Sequence, residues 1–231
     1  MKFSWMKWSV LPVAVLLAGG VAMAQDQSSS GAQASSQTQS ASPAPAATPA
    51  PAAQAKPEVA KRKENQQDRI ANGVKSGQLT AGETSKLETK EAAINKETAA
   101  DRAANGGKLT TAEKKQVNHQ QNQVSKQIYA DKHNANTAHY GNNKVGQRRE
   151  NQQDRIAQGV KSGQMTAGEA AKAEGQQKAI NKQVASDRKA NGGTLTASEK
   201  KQVNKEQNAT SKSIYNKKHN AKTQPQAQPK P

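Results

Sequence analysis

The residues able to do chemistry in this chain are few, and they repeat. Four glutamates, Glu83, Glu113, Glu169 and Glu199, each close a Gly-x-Leu/Met-Thr-x-x-Glu motif. Asp-Arg dipeptides recur at 68–69, 101–102, 154–155 and 187–188, and the histidines are His119, His133, His139 and His219. Carboxylates and imidazoles are the material of acid–base catalysis and metal ligation, but both uses need convergence in a desolvated cleft. No Ser–His–acid set, phosphate-cradling glycine loop or dinucleotide fingerprint accompanies them. With no cysteine there is no thiolate nucleophile, thiolate zinc site or disulfide scaffold. His133 and His219 stand in a repeated Lys-His-Asn, which reads as the finish of a helix C-terminus. Each Asp-Arg reads as a surface or inter-helix ion pair. The chain is therefore expected not to be an enzyme and to use no cofactor.

Lysine and arginine dominate instead: 35 of them against 18 Asp and Glu give a formal charge of +17 over 231 residues. The surplus is uneven. Residues 64–136 hold 11 basic and 9 acidic side chains, whereas residues 150–222 hold 14 and 7. Lys61-Arg62-Lys63 and Arg148-Arg149 add a basic cluster ahead of each stretch. Such a surface attracts polyanions by releasing their counterions. The expected contacts are Lys61, Arg62, Lys63, Arg148, Arg149, Lys189, Lys200, Lys201, Lys217 and Lys218. The expected partner is an anionic polymer of the envelope or extracellular matrix, such as lipopolysaccharide, teichoic acid, exopolysaccharide or DNA. Base-reading signatures are absent, so any nucleic-acid affinity should be independent of sequence.

The elements that must position these groups follow from patterning. Residues 1–24 read as a signal peptide, with Lys2 and Lys7 before a short apolar run and Ala22-Met23-Ala24 as the cleavage site. This predicts a secreted or periplasmic chain with no membrane span after processing. Residues 25–56, rich in Ala, Pro, Ser and Gln, read as a disordered linker, and 223–231 as a disordered tail. From Gln25 onward only 22 of 207 residues are Val, Ile, Leu, Met, Phe, Trp or Tyr, a composition close to that of disordered chains.

A tandem duplication argues otherwise. Residues 64–136 return at 150–222 with a shift of 86 and 49 identities in 73 ungapped pairs. Two copies of one folded unit are predicted, 57–136 and 137–222, the second including the junction. In each motif the Thr and the Glu three residues on make a capping box, and the preceding glycines suit a helix C-cap. A mostly α fold follows: two tandem three-helix units whose hairpins are joined by the Gly-x-Leu-Thr-x-x-Glu loops. The predicted helices are 59–72, 80–104 and 110–133, then 145–158, 166–190 and 196–219. Val117, Val124 and Ile128 share one helical face. The stripes are thin, so packing is expected to be marginal and completed by a partner. Tyr129 and Tyr215 are expected to be the one aromatic sealing each core.

The loop motif resembles the second half of an EF-hand calcium loop, where Gly at position 6, an aliphatic at 8 and Glu at 12 are the pattern. Gly77, Leu79 and Glu83 hold those places, as do Gly107, Leu109 and Glu113, then Gly163, Met165 and Glu169, and Gly193, Leu195 and Glu199. The calcium-ligand half departs from the family. Positions 1, 3 and 5 are Arg102, Ala104 and Gly106 in the second loop and Arg188, Ala190 and Gly192 in the fourth. The resemblance implies a helix-loop-helix shape and, as an alternative function, divalent-metal binding through Glu83, Glu113, Glu169 and Glu199. The arrangement is also similar to that of uncharacterised secreted bacterial repeat proteins, a likeness that names no activity.

Overall fold

The computed structural model describes residues 57–224. The expected signal peptide, the linker and all but the first two residues of the tail lie outside them. Among the described residues the chain is wholly helical: α1 Glu58–Lys75, α2 Ala81–Ala104, α3 Thr111–Lys132, α4 Lys144–Lys161, α5 Ala167–Ala190 and α6 Ala197–Lys218. Each helix begins and ends within three residues of where the sequence sets it. Local chemistry explains this accuracy. Thr80, Thr110, Thr166 and Thr196 are N-caps of complete capping boxes with Glu83, Glu113, Glu169 and Glu199. At the end of α1, Gly77 takes a φ of 71° and Leu79 N–H donates to Gly73 O at 3.0 Å, closing the last turn.

The six helices form two copies of one unit, α1–α3 and α4–α6. Inside each, a pair of glutamines does work that apolar residues leave undone. Gln66 donates to Gln121 O at 2.6 Å and Ser125 Oγ at 3.0 Å, and Gln121 returns a bond to Val59 O at 2.9 Å. Gln152 and Gln207 repeat the clasp on Gln207 O, Ser211 Oγ and Val145 O. Gln121 and Gln207 occupy the same stripes as Val117, Val124 and Ile128 and as Val203, Thr210 and Ile214, all buried.

The units then pack on each other through α2 against α5 and α1 against α4. The contacts have the reciprocity of a two-fold interface. A β-carbon built at Gly82 would lie 3.6 Å from the Lys178 side chain, and one at Gly168 would lie 3.8 Å from Ala92 Cβ, the same pair 86 residues on. Ser85 Oγ donates at 3.1 Å to the carbonyl of Ala171, its own counterpart. Helices α2 and α5 are therefore antiparallel, and their register sets Leu87 opposite Ala173 at the crossing. One apolar cluster runs through both units, from Ile70 and Leu87 to Ala173 and Ile214, while Val145, Ile180, Val184, Leu195 and Val203 form a second in α4–α6. The partner that completes each thin core is the other copy.

Two expectations are corrected. Tyr129 and Tyr215 do not seal the cores but are 62% and 55% exposed, because each sits one residue past the buried Ile of its stripe and so faces outward. Gln224, placed by the sequence in the tail, is buried, and its N–H donates to Gly163 O at 2.9 Å, as Ala138 does to Gly77 O at 2.8 Å.

The Leu87–Ala173 pairing predicts opposite failures. Leu87→Ala should leave a cavity and cost about 2–5 kcal/mol, and Ala173→Leu should overpack by about 1–3 kcal/mol. The exchange Leu87→Ala/Ala173→Leu should restore most of the loss. Urea denaturation measures all three; a double variant as unstable as the sum of the singles contradicts the pairing.

Candidate functional site

Helices α5 and α6 carry most of the exposed lysines of the second unit, with Lys172, Lys178 and Lys182 on α5. Lys200, Lys201, Lys205 and Lys212 are exposed, and Lys189 is exposed at the end of α5. Residues 201, 205, 208, 212, 215 and 219 fall at helical spacing, so Lys201, Lys205, Asn208, Lys212, Tyr215 and His219 form one outward stripe. Arg148, at the start of α4, donates to Asn204 Oδ1 at 3.4 Å and to Asn208 Oδ1, which brings its guanidinium to that stripe. On α3 the counterpart stripe is Lys115, His119, Asn122, Lys126, Tyr129 and His133, with Arg62 donating to Asn122 Oδ1 at 2.7 Å and lying 3.5 Å from Glu58. The sequence missed Lys205 and Lys212 because it weighed clustered cations and not helical spacing.

Other expected contacts are placed differently. Lys61 is exposed. Lys217 donates to Ser213 Oγ, and Lys218 donates to Gln158 Oε1 at 2.8 Å. Arg149 is only 8% exposed, with its guanidinium 5.4 Å over the Tyr140 ring. Lys63, its counterpart in the first unit, is half-buried, and burial lowers its pKa against the pull of Glu91 and Glu88. Both face the interior and leave the outer basic surface; the helix faces carrying them are covered by packing that their neighbours in sequence do not reveal. Arg69 and Arg155, read from the sequence as members of surface or inter-helix ion pairs, donate to Ser125 O at 3.1 Å and Ser211 O at 3.4 Å.

The four motif glutamates are held by their own caps. Glu83 Oε2 accepts from Thr80 N at 2.9 Å and Thr80 Oγ1 at 2.7 Å, while Oε1 accepts from Asn134 at 2.8 Å and Asn136 at 3.1 Å. Glu169 is held the same way by Thr166 and Asn220. Glu113 and Glu199 accept from Thr110 and Thr196 N–H and from Asn105 and Asn191. These donors hold all four carboxyls below the usual carboxylate value, outweighing burial at Glu83 and Glu169. Among the described residues no group of three or more His, Cys, Asp or Glu is arranged to hold a metal ion. His133 and His219 cap α3 and α6, each with Nδ1 bonded to the Tyr129 or Tyr215 carbonyl at 2.7 or 2.8 Å.

A second feature went unread in the sequence. Glu88, Glu91 and Glu174 are fully buried between the units. Gln67 Nε2 donates to Glu88 Oε2 at 3.1 Å, and Gln153 Nε2 donates to Glu174 Oε2 at 2.9 Å. The other oxygen of each, and both oxygens of Glu91, have no hydrogen-bond partner. Burial pushes Glu91 up to about 7 and Glu174 up to about 8. Glu88 is raised well above the usual value, by burial first and then by the charges of Glu91 and Glu174.

Comparison with known protein families, with characterised proteins and with solved structures finds no match to this chain. What fold and surface define is a class: an all-α tandem-repeat protein with basic outer stripes and a protonated interior.

Those carboxyls keep their protons in the fold and lose them in the unfolded chain above the ordinary value of 4.5. Their contribution to stability is therefore complete below about pH 4.5 and is lost as pH rises through about 7 and 8. The capping glutamates, with lowered values, contribute above 4.5 and lose that contribution on acidification. Stability should peak in mild acid. The urea midpoint should fall between about pH 5 and pH 8 and level off above, and Glu88→Gln/Glu174→Gln should remove most of that fall. A wild-type midpoint flat across the range contradicts the buried-acid account.

Proposed function

We propose that this chain is a non-enzymatic, secreted or periplasmic basic repeat protein that binds or scaffolds anionic polymers of the envelope or matrix by electrostatics. The observation that carries this reading is the α6 stripe. Lys200, Lys201, Lys205 and Lys212 stand exposed on one helix, with the Arg148 guanidinium brought to it by Asn204 and Asn208 and with Lys189 exposed at the end of α5, against two carboxylates on that helix, Glu199 in its cap and Glu206, which accepts from Gln202 at 2.7 Å. A row of cations in excess over carboxylates on a helix is the footprint of counterion-releasing attachment to a phosphate- or carboxylate-bearing chain. The N-terminal export pattern supports placing the partner outside the cytoplasm, and among the described residues no helix is long and apolar enough to cross a membrane. No geometric observation favours the divalent-metal alternative.

Titration of the full chain with DNA and with lipopolysaccharide across a salt series tests this. Affinity should fall linearly in log–log form, and a footprint of about four to six cations gives a slope near −3 to −5. Lys200→Glu/Lys201→Glu/Lys205→Glu should flatten the slope without changing helicity. No binding at about 50 mM salt, or binding indifferent to salt, overturns the proposal.

A further inference from the structure

Two aromatic rings on the outside of this fold serve nothing inside it. Among the described residues Tyr129 and Tyr215 are the large apolar side chains left exposed, and they are repeat counterparts. Each phenol is stacked on the histidine one turn later, with ring centroids 4.1 Å apart and interplanar angles of 26° and 23°. The imidazole is itself pinned by its Nδ1 bond to the tyrosine carbonyl. One face of each phenol is thus covered and fixed, and the other is open to solvent.

Cations flank both platforms. Lys126 and Lys132 lie three residues before and after Tyr129, and Lys212 and Lys218 flank Tyr215 in the same way, a rise of about 4.5 Å to either side. Lys126 and Lys212 are exposed, while the Lys132 stem leans on α1, 3.4 Å from a β-carbon built at Gly73, and Lys218 leans on α4 and donates to Gln158 Oε1 at 2.8 Å. A fixed flat ring beside an exposed ammonium group, present twice, is complementary to a chain that alternates planar bases with phosphates.

We infer that Tyr129 and Tyr215, each backed by its histidine, are base-stacking platforms for single-stranded nucleic acid, with the exposed Lys126 and Lys212 meeting the phosphates. This rests on the polyanion reading and narrows it. Single strands are favoured over duplexes because their base faces are free to stack, and stacking tolerates any sequence.

The test is fluorescence anisotropy of the full chain with a 5′-labelled 20-nucleotide oligothymidylate, an abasic strand of equal length, and alginate as a competitor. Wild type should bind oligothymidylate at least about five-fold more tightly than the abasic strand. Tyr129→Ala/Tyr215→Ala should erase that difference with the salt slope and circular dichroism unchanged, and Tyr129→Phe/Tyr215→Phe should retain it. Equal affinity for the two strands, or insensitivity to the Ala substitutions, overturns base stacking while leaving salt-dependent binding intact. Loss confined to alginate assigns the rings to sugar and also overturns it. Failure to bind either strand overturns the polyanion reading itself.

Discussion

The antiparallel crossing of α2 on α5 is the constraint on which the rest of this structure depends. Apart from half-buried Val59, every Val, Ile, Leu and Met between 57 and 224 is buried, so no apolar side chain remains in reserve. Crossing α2 on α5 pools the two stripes into a single cluster from Ile70 to Ile214.

A two-fold crossing has a second consequence. Residues near the axis meet their own counterparts, so any polar choice there is made twice at one place. Glu88 and Glu174 are one position of the repeat, and the interface brings both into the same dry region, where two neighbouring carboxylates cannot readily both ionise. Size obeys the same logic. Two leucines at the Leu87 position would collide and two alanines would leave a void; one of each fits. The copies differ at 84, 85, 87, 89, 90, 91 and 92 of α2, the stretch at the crossing, and again at 97, 98, 100 and 103, whereas α1 and α4 differ at five positions, four of them in the first six residues of the helix. Thr98 becoming Val184 feeds the second cluster of the later unit, which makes that unit less impoverished than the losses at Ala173 and Thr210 suggest.

What was legible in the sequence was what is decided locally. Thr80 and Glu83 find each other across one turn whatever packs above them, so the helix starts could be read from four residues. The stripe of Val117, Val124 and Ile128 was legible for the same reason, and it already implied that Tyr129, about 100° round the helix from Ile128, points elsewhere. The prior that aromatics fill cores hid this. Burial of Gln66, Gln67 and Gln121 was hidden because a glutamine is polar until another helix offers it a carbonyl; identity of the Gln-Gln pair in both copies was its only signal. Among the cations, Lys200 and Lys201 were legible as exposed because α6 has one buried face. Lys63 and Arg149 were not, since their burial is set by α2 and by Tyr140.

Core and surface charge are consequently one problem. In the second unit Glu174 is buried with its proton, and Glu169 and Glu199 are turned into caps. A protonated carboxyl contributes no negative charge, so near neutral pH the field outside α4–α6 is more positive than the formal count of 14 basic and 7 acidic residues. A chain short of aliphatics fills its interior with acidic residues that would otherwise neutralise its surface, while the capping glutamates stay ionised at the helix ends. The basic character of α6 follows from the way the fold is held together as much as from the number of its lysines.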